Sequence, residues 1–264
     1  MSSKILAGSI NSYIENRVGY IVLDNPSKLN AISFSMWEKI GTTLEEYKKN
    51  KDIRCVVMTG NGEKAFSAGA DISEFNDNRS LEEAVLLYDN VSKTTLNILQ
   101  NFPKPTIAII NGYCIGGGLA TALSCDVRIA SEKSTFAIPA AKLGLAYDYL
   151  GIKKLRDLIG PSRAKYIFFT ARQFSSTEAI QMGIIEQIFK EKDFKEGVMQ
   201  VLNTIIGNAP LTIASAKLAI DADIEDKDLY KKCKEFEAIC FSSKDYEEGR
   251  LAFSEKRKPV FKGH

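Results

Sequence analysis

The chain has 264 residues, of which 45% are hydrophobic, 35 are basic and 33 are acidic. That length accommodates one large α/β domain or two small ones around a substantial core, and a net charge of +2 speaks against an obligate nucleic-acid binder, which carries a clear basic excess. The longest apolar runs, such as Thr106 to Ile110, are far too short to span a bilayer, and the sole histidine, His264, removes histidine-based triads and nearly all histidine metal sites.

Met1-Ser2-Ser3-Lys4 lacks the apolar core of a signal peptide. Arg17 to Asp24 (RVGYIVLD) and Ile53 to Thr59 (IRCVVMT) read as strands rich in β-branched residues. Between them, Phe34 to Asn50 has helical spacing at Met36, Ile40, Leu44 and Tyr47. Ser80 opens a further helix, with Glu83 completing a capping box, that stops before Pro103. Pro105 to Asn111 is a third strand, mostly apolar as buried parallel strands are. The helix after it starts at the triplet Gly116-Gly117-Gly118. Asp126 to Ala130 and Thr135 to Ile138 are short strands, followed by helices over Leu150 to Ile159 and Ser162 to Ala171. This alternation predicts βαβ units with right-handed crossovers and a largely parallel sheet. From Asp193 onward the pattern is helical, with amphipathic stretches at Phe194 to Gly207, Leu211 to Ala222, Asp228 to Phe241 and Lys244 to Ser254. We therefore divide the chain into an α/β core, 1–195, and a helical C-terminal lobe, 196–264. Five cysteines are scattered without C-x-x-C spacing, as expected of reduced thiols in the cytoplasm.

Chemistry concentrates in two segments, Lys64 to Asp71 (KAFSAGAD) and Asn111 to Gly118 (NGYCIGGG). The glycine triplet lies between a buried strand and a helix, where N–H groups are unpaired, the helix end is partially positive, and no side chain holds a ligand off. A tight strand-to-helix turn is the structural alternative. The spacing fits neither a P-loop nor a dinucleotide fingerprint. Asp71 alone reads as a cap for the stretch that follows it. Together the two segments resemble those of the crotonase (enoyl-CoA hydratase/isomerase) superfamily. Pro26 to Ala31 (PSKLNA), Phe66 to Ile72 (FSAGADI), Pro103 to Gly118 and Glu255 to Phe261 (EKRKPVF) carry the resemblance, which runs from about Asn11 to Phe261.

The resemblance implies a spiral of ββα units with a helical C-terminal trimerisation region, assembled as a homotrimer or homohexamer. It implies a coenzyme A thioester as substrate, with no cofactor beyond the coenzyme A it carries; the charge balance and short apolar runs leave neither nucleic acid nor membrane as an expected partner. By position, the amides of Ala70 and Gly117 hold the thioester oxygen. Ala68, Gly69, Asp71, Ile72 and Ser73 lie along the adenine and pantetheine, with Gly116 beside them, and Lys256 approaches the coenzyme A phosphates, from a neighbouring subunit in one arrangement. The superfamily's hydratases use two glutamates, at the positions of Ala120 and Ala140 here. Losing general acid–base help costs about 10²–10⁴-fold per group, so efficient hydration is not expected.

Three reactions through a thioester enolate remain. Decarboxylation of a malonyl-type thioester needs no base. The superfamily's methylmalonyl-CoA decarboxylases are similar over Leu143 to Leu155, where Tyr147 matches their functional tyrosine, although they carry a histidine at the Ala70 position. Double-bond isomerisation needs one base, and Asp148, 31 residues after Gly117, stands where dienoyl-CoA isomerases and aryl-CoA dehalogenases carry a working aspartate. Nucleophilic attack by that aspartate is the third. Asp148 also reads as a helix cap, and Tyr147 as an ordinary core or rim aromatic. Two alternatives stand beside these: a true hydratase with substitute groups, and a non-catalytic acyl-CoA-binding protein.

Overall fold

The computed structural model describes residues 8–71, 73, 81–223 and 225–264. Ile72 and Ser80 lie outside them. Among the described residues, ten strands form two sheets. In the larger one the order is β1 (Ser9–Glu15), β2 (Val18–Asp24), β3 (Cys55–Gly60), β5 (Thr106–Ile110), β7 (Val127–Ser131) and β10 (Gln187–Phe189); only β1 and β2 are antiparallel. The smaller sheet runs β4 (Ala65–Ser67), β6 (Tyr113–Ile115), β8 (Thr135–Ala137) and β9 (Phe174–Ser175), with β9 antiparallel to β8.

The pairs β3/β4, β5/β6 and β7/β8 each place one strand in the large sheet and the next in the small one before the chain turns helical. That repeat is the spiral of ββα units. The expected central strands of the large sheet are present, and β3 and β5 are almost wholly buried because helices cover both faces of their sheet. On one face, α1 (Phe34–Lys49) and α2 (Leu81–Gln100) pack with Ile21, Leu23, Met58 and Phe66; on the other, Val198 and Leu202 of α8 (Phe194–Gly207) pack with Tyr20, Val57 and Ile107. Ser33 caps α1 by accepting from Met36 N at 3.2 Å.

Three further helices position the site: α3 (Gly117–Ser124), α4 (Ala140–Leu143) and α5 (Tyr149–Ile159). The chain then passes through α6 (Pro161–Thr170) and α7 (Ser176–Met182). After α8 come α9 (Pro210–Asp221), α10 (Lys227–Phe241) and α11 (Lys244–Ser254); α9 and α10 bury no residue among those described. The final residues fold back on α11, where the buried Asp245 carboxylate accepts from Lys262 N at 2.6 Å and Gly263 N at 2.8 Å.

Candidate active site

The first glycine-bearing segment is laid upon the turn at residues 25–32. Asn30 N donates to Asn25 O at 2.8 Å, Asn25 N donates to Asn30 Oδ1 at 3.0 Å, and Asn30 Nδ2 donates to Ala65 O at 2.7 Å. This turn then serves as a template. Ala68 N donates to Leu29 O at 2.9 Å, Ile32 N donates to Gly69 O at 2.7 Å, and Asp71 N donates to Ile32 O at 3.0 Å. Carbonyl and N–H point opposite ways across a trans peptide. The Ile32–Gly69 bond therefore turns the Ala70 N–H away from Ile32.

The second segment leaves β6 at Ile115. Gly116 N donates to Ala137 O at 2.8 Å, and Gly117 opens α3, where a first-turn amide has no intrahelical acceptor. The helix start lies hard against β4 because Gly118 has no side chain: a Cβ there would stand 2.4 Å from Ser67 O. The two segments touch. A Cβ on Gly69 would stand 3.1 Å from Gly117 N, and one on Gly117 would stand 3.5 Å from Ala70 N. Among the described residues, neither Ala70 N nor Gly117 N donates to a protein acceptor. Both residues are only partly buried. Two neighbouring, unsatisfied donors of this kind can hold one oxygen as it gains charge.

Asp71 does not face this pair as a free carboxylate. It is 6% exposed and accepts from Lys28 Nζ at 2.7 Å and Ser73 Oγ at 2.7 Å, while Lys28 Nζ also donates to Ser73 Oγ at 2.7 Å. Burial pushes the Asp71 carboxyl up, but the hydrogen bonds and charge of Lys28, with Ser73, outweigh it and hold the pKa below the usual carboxylate range. Ala120 lies one turn into α3, its N–H donating to Gly116 O at 3.0 Å, and Ala140 is buried at the start of α4. Pro139, just before it, has its Cδ 3.9 Å from where a Gly116 Cβ would be.

Tyr147 reaches the second segment directly: its hydroxyl donates to Gly116 O at 3.1 Å. Burial pushes its phenol well above the ordinary value, so it remains a protonated donor. Asp148 is exposed at the N-terminus of α5, where its carboxylate accepts from Gly151 N at 3.4 Å and lies 3.5 Å from Lys93 Nζ. Lys256 is exposed after α11 in a left-handed conformation, φ 54°. Its side chain makes no hydrogen bond or ion pair among the described residues. Sequence reasoning missed Lys28, Ile32 and Tyr88, whose hydroxyl donates to Ile32 O at 2.8 Å; only the position of Lys28 and Ile32 around the PSKLNA segment hinted at the first two.

Residues 13–264 match the sequence profile of enoyl-CoA hydratase/isomerase. The chain belongs to the enoyl-CoA hydratase/isomerase family. This family member is 31% identical to the short-chain-enoyl-CoA hydratase of Clostridium acetobutylicum, across 92% of this chain and 94% of that one. It is equally, at 31%, identical to the methylmalonyl-CoA decarboxylase of Escherichia coli, across 97% and 98% of the two chains. The crystal structure of an enoyl-CoA hydratase from Bacillus anthracis superimposes with a TM-score of 0.88 at 32% identity, covering 97% of this chain and 99% of that one. Family membership brings an acyl-CoA thioester as the class of substrate. It leaves the reaction open, since a hydratase and a decarboxylase are equally similar.

Proposed function

We propose that this enzyme stabilises a thioester enolate on the amides of Ala70 and Gly117 and works as a decarboxylase or isomerase rather than a hydratase. One observation carries the reading: the two unsatisfied amides stand side by side, while the positions that would activate water, 120 and 140, hold alanine. For a malonyl-type thioester, the electrons of the breaking C–C bond flow into the thioester carbonyl, carbon dioxide leaves, and the enolate oxygen rests on the two N–H groups. No base takes part; a proton from solvent water then bonds to the α-carbon as the enolate electrons return to it. The second reading, isomerisation, is favoured by Asp148, an exposed carboxylate beside Lys93 that has the reach of solvent and the chemistry of a base.

In this reading Ala68, Gly69, Ser73 and Gly116 flank the coenzyme A moiety, with Asp71 holding that strip from behind. Lys256, on the C-terminal lobe, meets the coenzyme A phosphates, and α9–α11 form the contact of a homotrimer or homohexamer. No cofactor is required beyond the coenzyme A of the substrate, and five free cysteines suit the cytoplasm. The test is a panel of enoyl-, dienoyl- and malonyl-type CoA esters with binding and turnover measured together. Turnover of a malonyl-type or dienoyl ester, with crotonyl-CoA hydration slower by at least ~10²-fold, is expected. Crotonyl-CoA hydration at an ordinary enzymatic rate would return the chain to the hydratases, and binding without any turnover would make it an acyl-CoA-binding protein.

A further inference from the structure

Both donor amides belong to peptide planes bordered by a glycine at positive φ, which a residue with a side chain rarely adopts: Gly69 at φ 102° and Gly116 at φ 54°. Without a Cβ, sterics leave such a plane free to turn. Were the Gly69–Ala70 or Gly116–Gly117 plane to rotate, a carbonyl oxygen would stand where a donor is needed. Each plane is held from its far side, through its carbonyl. Gly116 O accepts from Tyr147 Oη at 3.1 Å and from Ala120 N at 3.0 Å. Gly69 O accepts from Ile32 N, and Ile32 is anchored in turn through its own carbonyl, which accepts from Tyr88 Oη at 2.8 Å and from Asp71 N.

We infer that the hydroxyls of Tyr147 and Tyr88 are a matched pair of positioning residues, which fix the directions of the Gly117 and Ala70 amides respectively. The inference rests on the oxyanion reading proposed above and deepens it. Both rings are fixed in place. Tyr147 packs edge-on against Phe168 with centroids 5.3 Å apart, and a Cβ on Gly151 would lie 3.3 Å from its Cε1. Tyr88 is buried on α2 and accepts from the buried Trp37 Nε1 of α1 at 2.7 Å, so α1 and α2 together aim its hydroxyl at Ile32 O. A hydrogen committed to a backbone carbonyl is a different task from handing a proton or a hydrogen bond to the acyl group of the substrate. Tyr147 thereby acts through Gly117, and Tyr88 acts through Ile32.

The test reads the thioester carbonyl itself rather than turnover. Acetyl-CoA labelled with ¹³C at its carbonyl is bound to the full chain, and the infrared stretch of that carbonyl is compared with the free ester. Wild type is expected to shift it to lower frequency. Tyr147→Phe and Tyr88→Phe keep the ring and remove only the hydroxyl. Each is expected to lose much of the shift while still binding acetyl-CoA, with kcat on the reactive ester falling about tenfold or more and KM changing little. A full wild-type shift in both variants overturns the inference. A Tyr147→Phe enzyme that keeps the shift but loses turnover overturns it for that residue, and assigns Tyr147 to the reacting group. Absence of a shift in wild type overturns the oxyanion reading and takes the inference with it. Tyr88 lies on α2 and Tyr147 in the loop before α5, so if one variant fails to fold the other decides.

Discussion

Gly117 supplies its N–H from the first position of α3, the one helical position where proline is well tolerated because its amide has no intrahelical acceptor. Gly117→Pro therefore deletes the donor with least harm to the helix. Space permits it at the β-carbon, whose nearest neighbours, Ala70 N and Gly69 Cα, would both lie at 3.5 Å. We expect kcat on the active ester to fall on the order of 10²-fold or more, with the circular dichroism and melting temperature close to wild type; activity retained in a folded variant would remove Gly117 from the chemistry. Lys28 raises a different expectation. The folded-state pKa of Asp71 lies below its unfolded value, so the pair contributes stability above the unfolded carboxylate range, and that contribution is lost as pH falls through the folded value. Lys28→Met leaves the burial penalty opposed by Ser73 alone. The Asp71 carboxyl should rise, neutral-pH stability should drop by about 1–3 kcal/mol, and the acid unfolding midpoint should move to higher pH. An acid titration followed by circular dichroism, compared with wild type, checks the direction.

At the scale of elements, α5 separates the two roles open to Asp148. The residue precedes Tyr149, and its carboxylate accepts from Gly151 N, three residues on, as an N-cap does. Asn preserves that acceptor but cannot take a proton. Asp148→Ala should cost about 1 kcal/mol of stability and Asp148→Asn only a few tenths. If Asp148 is the base, both lose turnover alike; if it is only a cap, Asp148→Asn turns over like wild type. Urea unfolding and a rate measurement on the two variants distinguish these. The same contrast between local and non-local information governs how much of the fold was readable. α8 and α11 run over the residues expected from apolar spacing, because an amphipathic helix carries its own signal. β8 lies within the stretch read as a strand, but β4 and β6 have three residues each, too few to show alternation, and are strands because they pair with each other. β1 is exposed along nearly its whole length, so it too lacked a pattern. The site divides likewise. The glycines that bare the Gly117 and Ala70 amides stand beside them in the chain and were legible. Lys28, 43 residues before Asp71, and Tyr88, 56 after Ile32, become neighbours only once the turn at 25–32 and α2 are in place.

For the whole molecule, large apolar side chains stand exposed on the C-terminal helices. Ile220 of α9 is 82% exposed and Phe253 of α11 is 88% exposed. A groove of about 1150 Å³ runs between α9, α10 and α11, lined by Ala216, Tyr230, Phe241 and Phe253 among others. Monomers rarely leave contiguous apolar surface of that kind in water. The tail that carries Lys256 is tied to α11 and to the core, where Arg54 donates to Ile206 O at 2.9 Å and to Phe261 O. Self-association through these helices would therefore also set where Lys256 stands relative to a coenzyme A. Light scattering should give wild type a mass three or six times 29.2 kDa. The double variant Ile220→Asp, Phe253→Asp places two charges on the apolar faces without touching a buried side chain, and should lower that mass at micromolar concentration. Acyl-CoA affinity should weaken together with the mass if Lys256 of one subunit serves the site of another, and should be unchanged if each chain serves itself. A wild type that runs at the mass of one chain would refute the assembly, and the exposed faces of α9–α11 would then need another cover.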